Sequence, residues 1–473
     1  MLLIILHIFF VSFLDKPEKS ASALSPRAVE QRQKWNISTD EMDYPVCRLY
    51  VDSLRAMGAK VHHTSRWMNG ATVEMSEELA AKVNDLSFVI DVEMTRDDSK
   101  PRFSPHRKRI VSQEQRKAIV PDTTHHVYVT SDQLSTYNLL PLHKAGFEGQ
   151  GIVLAVCDGG FYKANTLDCF RQSELELGHF DFTDDTDGFY GSTGTHGTEC
   201  LSTISGQKNS YKGAAVKAQY YLIRSEEYET ESPKEMDNLV VALETADSLG
   251  VNIFSVSLGY YDFDNTDWDL TYEADLDGRS TRASQACTIA ARKGMLVCIA
   301  AGNEGDNSWK WIGVPADADS VLSVGAVDTD GKIGYFSSYG PTADGRIKPE
   351  ACAVGVWTKV ISPYGSVIES NGTSFAAPLL AGLAACLWSA LPDENAMQIR
   401  ERIIRSTDRY AQPEYGQYGY GIPDAWKAYT MGTESVVTAD QEQDTSVRKI
   451  VDGSRILIVR HGHIYNLAGQ RVQ

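Results

Sequence analysis

From about residue 150 onward, short mainly apolar runs alternate with longer stretches in which apolar and polar positions mix. The runs Ile152–Cys157, Val251–Val256, Met295–Ala300 and Val321–Val327 are continuous, not alternating. That is the signature of strands buried on both faces, as in parallel sheets. Trp357–Ile361 predicts a further strand. Between runs the spacing turns helical. Ser232-Pro233-Lys234-Glu235 forms a capping box with Pro at the first helical position, and the helix it opens runs to Leu249 and closes at Gly250. A second helix, Thr281 to Lys293, ends at Gly294. Helices joining consecutive buried strands predict an α/β domain, a doubly wound, mostly parallel sheet flanked by helices on both faces, over residues 127–432.

Phe375 to Leu391 is apolar except for Pro378, Gly382 and Ser389, so it predicts a helix buried all round. Pro378 is expected in its first turn, where a missing N–H costs nothing. The segment Asn371-Gly372-Thr373-Ser374-Phe375-Ala376-Ala377-Pro378 thus puts Ser374 at a helix N-terminus, where free N–H groups and the helix dipole favour negative charge. Alone this is equally a Ser N-cap. Three other segments supply what a serine nucleophile lacks. Asp158-Gly159-Gly160 ends the first buried strand with a carboxylate, at the end where open α/β sheets bind ligands. Gly194-Thr195-His196-Gly197-Thr198 places a histidine at a helix start, and Asn303 follows the run Met295–Ala300 with an amide donor. Nucleophile, base, orienting carboxylate and oxyanion donor are the parts of an acyl-transfer site.

These motifs, in the order Asp, His, Ser, resemble the subtilisin family of serine proteases from roughly Asp132 to Tyr429. The resemblance implies that Asp158 orients His196, His196 is the base, Ser374 the nucleophile, and Asn303 an oxyanion donor. It also implies that Ser257-Leu258-Gly259, with Ala301, Gly302 and Gly313, binds an extended peptide. Gly313-Val314-Pro315 resembles the wall of the primary specificity pocket; lacking charge, it favours a large apolar side chain before the scissile bond. Where the family has Asp followed by Thr-Gly or Ser-Gly, this chain has Asp158-Gly159-Gly160, so a hydroxyl that could hold the carboxylate is absent. The chemistry needs no cofactor. A structural calcium ion, common in the family, finds candidate ligands in Asp181, Asp184, Asp185 and Asp187, although their spacing lacks the regularity of a dedicated loop.

Ahead of this region, residues 24–94 alternate helix- and strand-like stretches. Trp67-Met68-Asn69-Gly70-Ala71 and Phe88-Val89-Ile90-Asp91-Val92 resemble the inhibitory propeptide of subtilases, a small α+β domain. Residues 95–126 are polar and charged, a linker in which self-cleavage is expected between about Asp122 and Asp132. The apolar run Leu2–Leu14, followed by Ala21-Ser22-Ala23, reads as a signal peptide over residues 1–23. Thr433–Ser446 is acidic, and the strand-like tail to residue 473 resembles, in part, short carboxyl-terminal segments of Bacteroidetes secreted and surface proteins. A hairpin packing on the catalytic domain is the other reading.

At 473 residues and 42% hydrophobic, the chain can bury a large core in more than one domain. A formal net charge of -18 disfavours nucleic acid and anionic membrane as partners. None of the eight cysteines shows Cys-x-x-Cys spacing, and Cys157, Cys200, Cys287, Cys298 and Cys386 fall in predicted buried elements, so mostly free thiols are expected. The expectation is a secreted or surface serine endopeptidase, monomeric, with no membrane span in its mature form. It would act on extended peptides or proteins, and its own propeptide would inhibit it. A weak or inactive peptide-binding module and a transpeptidase using the same triad are the alternatives.

Overall fold

The chain folds, in this computed structural model, from an N-terminal antiparallel sheet into a parallel one. Described are residues 5–17, 21–99, 128–170, 175–184, 186–192, 194–228 and 230–432, and the backbone of 447–452, 455–460 and 463–465. The N-terminal sheet is built from β1 (His7–Phe13), β2 (Lys60–Ser65), β3 (Gly70–Met75) and β4 (Val89–Arg96), in the order β2-β3-β1-β4. Helix α1 (Pro26–Lys34) follows β1, α2 (Arg48–Ala56) precedes β2 and α3 (Glu77–Asn84) precedes β4. Phe9, Val11 and Phe13 pack into a core with Val51, Leu54, Ala80 and Val83 of α2 and α3. On the opposite face Arg282 of the catalytic region stacks over Phe10, 4.5 Å from the ring centre.

The apolar run expected to be a signal peptide is therefore an interior strand, paired with β3 and β4. A strand buried on both faces is continuously apolar, which hydropathy alone does not separate from the core of a signal sequence.

The larger region that follows opens with the short helices α4 (Ser131–Ser135) and α5 (Leu140–Lys144). Then come β5 (Val153–Asp158), β6 (Glu176–Asp181), α6 (Thr195–Ser205), the two-residue strands β7 (Gln207–Lys208) and β8 (Tyr211–Lys212), β9 (Gln219–Arg224), α7 (Lys234–Leu249) and β10 (Ile253–Val256). After the short α8 (Tyr272–Asp275) follow α9 (Arg282–Arg292), β11 (Leu296–Ala300), β12 (Leu322–Val327) and β13 (Ala351–Val354). The large sheet runs β13-β12-β11-β10-β5-β9-β6, all parallel. Strand β14 (Thr358–Ile361) lies outside it, in an antiparallel pair with β15 (Val367–Ser370), a departure from the expected parallel strand. Helices α10 (Thr373–Ala390), α11 (Ala396–Ser406) and α12 (Ala425–Thr430) complete the region.

Alternate residues of β5 feed two cores. Leu154 and Val156 join α6 and α10 on one face, while Val153, Ala155 and Cys157 join α7 and α9 on the other. The chain order reverses across β5, with β6 and β9 to one side and β10 onward to the other, so the carboxyl ends of β5 and β10 border the ligand crevice of such folds.

Helix α7 departs in detail from its expected cap. Pro233 is the cap residue; Glu235 accepts the Ser232 N–H at 3.3 Å, but the Ser232 hydroxyl makes no reciprocal bond. At its other end Gly250 adopts φ +74, as a helix-closing glycine does. Helix α10, which by length and apolarity could cross a membrane, is 89% buried within the protein. Pro378 lies in its second turn, not its first, and leaves the Ser374 carbonyl without the usual helix donor.

The N-terminal sheet docks on α7. Glu244 accepts the Ser65 hydroxyl at 2.6 Å and the backbone N–H groups of Arg66 and Trp67 at 3.0 Å each. Arg32 and Arg66 each reach Asp247 at 2.7 Å, and Lys293 holds Asp40 and Asp43 at 2.7 and 2.9 Å. All eight cysteines are free and buried. Residues 431–473 are a separate unit containing a three-stranded meander, β16 (Val447–Asp452), β17 (Arg455–Arg460) and β18 (His463–Tyr465).

Phe13 is 2% exposed and meets Tyr50 and Phe88. Phe13→Ala should cost the N-terminal sheet about 3–5 kcal/mol, read as a fall in the denaturant midpoint for loss of that sheet. An unchanged midpoint would return residues 7–13 to a non-structural role.

Candidate active site

Asp158 ends β5, His196 is the second residue of α6, Ser374 the second of α10, and Asn303 follows β11. The crossing of the first two segments depends on absent side chains. A Cβ on Gly194 would lie 2.4 Å from the Gly160 Cα, and one on Gly197 would lie 2.4 Å from the Gly160 carbonyl oxygen and 2.9 Å from the Asp158 Cβ. The Gly159 N–H, a backbone donor that any residue but Pro would offer here, donates to Asp158 Oδ1 at 2.8 Å.

Both oxygens of the buried Asp158 carboxylate lie 2.9 Å from His196 Nδ1. The carboxylate therefore holds the proton on Nδ1 and leaves Nε2 as the basic nitrogen. Burial opposes charge on this ring, but the adjacent Asp158 outweighs it and holds the His196 pKa well above 6.5. Cys200, one turn further along α6, sits 3.8 Å from both ring nitrogens, with its thiol pushed up to about 11 by burial.

The Ser374 carbonyl freed by Pro378 is taken up by the Ser257 hydroxyl at 2.8 Å and the Cys200 thiol at 3.2 Å. In return Ser374 Oγ donates to the Ser257 carbonyl at 3.3 Å, and it makes no hydrogen bond to His196. Asn303 is fixed by its oxygen, which accepts the Thr373 N–H at 2.9 Å and the Thr373 hydroxyl at 3.0 Å. The N–H donor leaves no choice of orientation, so the NH₂ end is the one available to a ligand. Thr373 Oγ1 also accepts the Gly302 N–H at 3.2 Å. The Ser374 N–H lies in the first turn of α10, where no intrahelical acceptor exists.

The residues expected to bind peptide converge here. Ser257-Leu258-Gly259 extend β10, and the next residue, Tyr260, pairs antiparallel with Val314. Gly313 donates to Ala301, joining that wall to the Ala301–Gly302 turn. Among the described residues Leu258 and Gly259 have no backbone hydrogen bonds, so they present an open edge.

The expected calcium ligands are otherwise engaged. Arg224 reaches Asp187 at 3.0 Å and Asp181 at 3.6 Å, and Lys234 and His62 reach Asp184 at 2.8 and 3.1 Å. Asp185 lies outside the described residues. Arg224 and Lys234 bring positive charge to this loop, as the reading of it as a solvated acidic loop expects. Among the described residues, the groupings close enough to share a cation are Asp158–His196–Cys200, in the site itself, and Glu226–Glu231–Glu235 beside it.

Sequence reasoning passed over Thr373 and Cys200. The i,i+4 spacing of His196 and Cys200 on one helix was the available signal for the latter. Thr373 offered none beyond its place beside Ser374.

Compared with known proteins, residues 149–421 match the subtilase family (peptidase S8), and residues 8–113 match the peptidase S8 propeptide domain of Bacteroidota. The propeptide match begins within β1, whereas the expected domain began at residue 24. Serine protease AprX of Bacillus subtilis is 28% identical over 59% of this chain and 66% of its own length. Subtilisin DY of Bacillus licheniformis is 29% identical over 60% of this chain and 94% of its own. The fold is shared with MycP1 from Mycobacterium smegmatis, with a TM-score of 0.52 and 22% identity over 67% of this chain and 90% of that one.

Gly197→Ala would press a methyl group onto the Gly160 carbonyl and the Asp158 side chain. The expected cost is about 1–3 kcal/mol, seen as a lower denaturant midpoint; equal midpoints would mean that the crossing is looser than these distances imply.

Proposed function

The chain belongs to the subtilase family of serine proteases and carries that family's Bacteroidota-type propeptide domain, and on that premise we propose that it is an exported endopeptidase working through an Asp158-His196-Ser374 triad. The observation that carries this reading is the His196 ring held by both oxygens of Asp158 at 2.9 Å, beside the first turn of α10. An extended peptide pairs with the open edge at Leu258–Gly259. Ser374 swings from the Ser257 carbonyl toward His196 Nε2 and attacks the scissile carbonyl as the ring takes its proton. The Asn303 amide and the Ser374 N–H receive the oxyanion. His196 then protonates the leaving amine, and water hydrolyses the acyl-enzyme with the ring again as base.

The N-terminal domain acts as inhibitor until the linker is cut. Self-cleavage is expected between about Asp122 and Asp132, a window that begins outside the described residues and reaches the start of α4 at Ser131. Sequencing the mature N-terminus checks this, and a start inside β1–β4 would refute it. For the tail we retain the surface-sorting reading.

One observation favours a second reading, a peptide-binding module: the resting Ser374 hydroxyl faces Ser257 and not His196. A fluorophosphonate probe separates the two, since only an activated serine reacts with it.

Ser374→Ala should lower kcat by about 10⁶-fold, the size of the loss that nucleophile removal causes in subtilisin, and leave the pro-form uncut. Peptidase activity surviving in that variant would remove Ser374 from its role. His196 must be neutral to act as base, and Asp158 raises the pH at which it becomes so. In a pH profile of kcat/KM, activity should therefore rise through a midpoint above 6.5. Asp158→Asn should move that midpoint down and reduce kcat by about 10⁴-fold.

A further inference from the structure

The connection from β9 to α7 is strongly acidic and borders the cleft. Ser225 donates its N–H to the Asp158 carbonyl at 3.3 Å, and a Cβ built on Gly159 would lie 3.6 Å from that of Glu226. Glu226 also receives the hydroxyl of Tyr260, the residue following the open peptide-binding edge. Oxygens of Glu226, Glu231 and Glu235 lie within 4.8 Å of one another. The acidic segment therefore flanks the strand expected to hold the residues before the scissile bond.

Carboxylates on a loop are by themselves only a charged surface. What makes this one informative is a cation delivered from the propeptide domain. Arg96, the last residue of β4 and 6% exposed, donates to Glu227 Oε2 at 2.8 Å; it also pairs with Asp98 at 3.0 Å and lies 3.5 Å from Asp184. Glu227 is itself 4% exposed; within the catalytic region Lys234 reaches its Oε1, and the Thr230 hydroxyl donates to its Oε2 at 2.9 Å. When the propeptide leaves, the guanidinium leaves with it, and Glu227 Oε2 keeps the neutral Thr230 hydroxyl while Oε1 stays on Lys234. The negative surface beside the cleft then faces solvent and substrate.

We propose that this acidic connection is a specificity subsite for an Arg or Lys side chain among the few residues before the scissile bond, with Glu227 as its main acceptor and propeptide Arg96 as the resident stand-in. The inference rests on the endopeptidase reading and adds a substrate class to it. It is separate in chemistry from the uncharged segment Gly313–Pro315.

The test uses the full-length protein after self-processing, with quenched peptides that differ only by Arg or Gln at successive positions before the cut. At one position Arg should raise kcat/KM about tenfold or more, the worth of one charge-assisted hydrogen bond. Raising the salt to about 1 M should shrink that ratio. Glu227→Gln should bring the ratio near one, and Glu227→Arg should reverse it in favour of a Glu-bearing peptide. Should Glu227 variants fail to fold, Glu231→Gln, at a half-buried position, should still reduce the ratio. Equal cleavage of Arg and Gln peptides at every position, or a ratio untouched by these substitutions, would overturn the proposal. If no peptide is cut at all, the endopeptidase reading fails; fluorescence anisotropy with the same peptides then decides the subsite, tighter Arg binding supporting it and equal binding ending it.

Discussion

Two backbone segments touch at Gly160 and Gly194 more closely than any side chain would allow, and the geometry of the site follows from that contact. The loop after β5 and the start of α6 must nest for the His196 ring to meet both oxygens of Asp158. A single methyl group at Gly194 or Gly197 would meet backbone, which cannot give way as a flexible side chain can. The Asp-Gly-Gly variation on the family motif fits this frame. The carboxylate keeps the hydrogen bond from the residue 159 backbone N–H whichever side chain follows Asp158.

A second dependence runs through Pro378. Placed in the second turn of α10, it removes the donor that the Ser374 carbonyl would otherwise have. A buried carbonyl without a partner is costly, and this one draws in Ser257 from the end of β10 and Cys200 from α6. The helix that carries Ser374 is thus tied to the end of β10 and to the helix that carries His196. Three parts of the site share one oxygen atom.

The propeptide domain meets the catalytic region through buried polar contacts. Glu244 and Asp247 on α7 take up Ser65, the backbone at Arg66 and Trp67, and the guanidinium groups of Arg32 and Arg66. Burial raises the Glu244 pKa despite these donors, so docking asks the carboxylate to give up water for fixed partners. Such contacts specify one docked arrangement because each donor must find its acceptor. Near the cleft the same interface ends in the Arg96–Glu227 pair, so the domain that covers α7 also brings positive charge to the border of the site.

Local pattern carried much of the architecture. Continuous, mainly apolar runs marked β5, β10, β11 and β12 because strands buried on two faces carry few polar residues, and Gly250 and Gly294 marked helix ends because few other residues adopt positive φ cheaply. The four candidate site residues were legible because each stands beside glycine or a helix start in a long motif. Other features depended on partners distant along the chain. The run at residues 7–13 is a strand only because β3 and β4 flank it, and β14 pairs with β15 outside the main sheet. The acidic residues near Asp184 look like cation ligands until Arg224, Lys234 and His62 are seen to face them. Thus the sequence by itself determined which segments are buried and which side chains could do acyl-transfer chemistry, since both follow from local composition and spacing. Which carboxylate meets which cation, and where the Ser374 hydroxyl rests, was decided only by the tertiary structure, because those energies depend on distances between residues far apart in the chain.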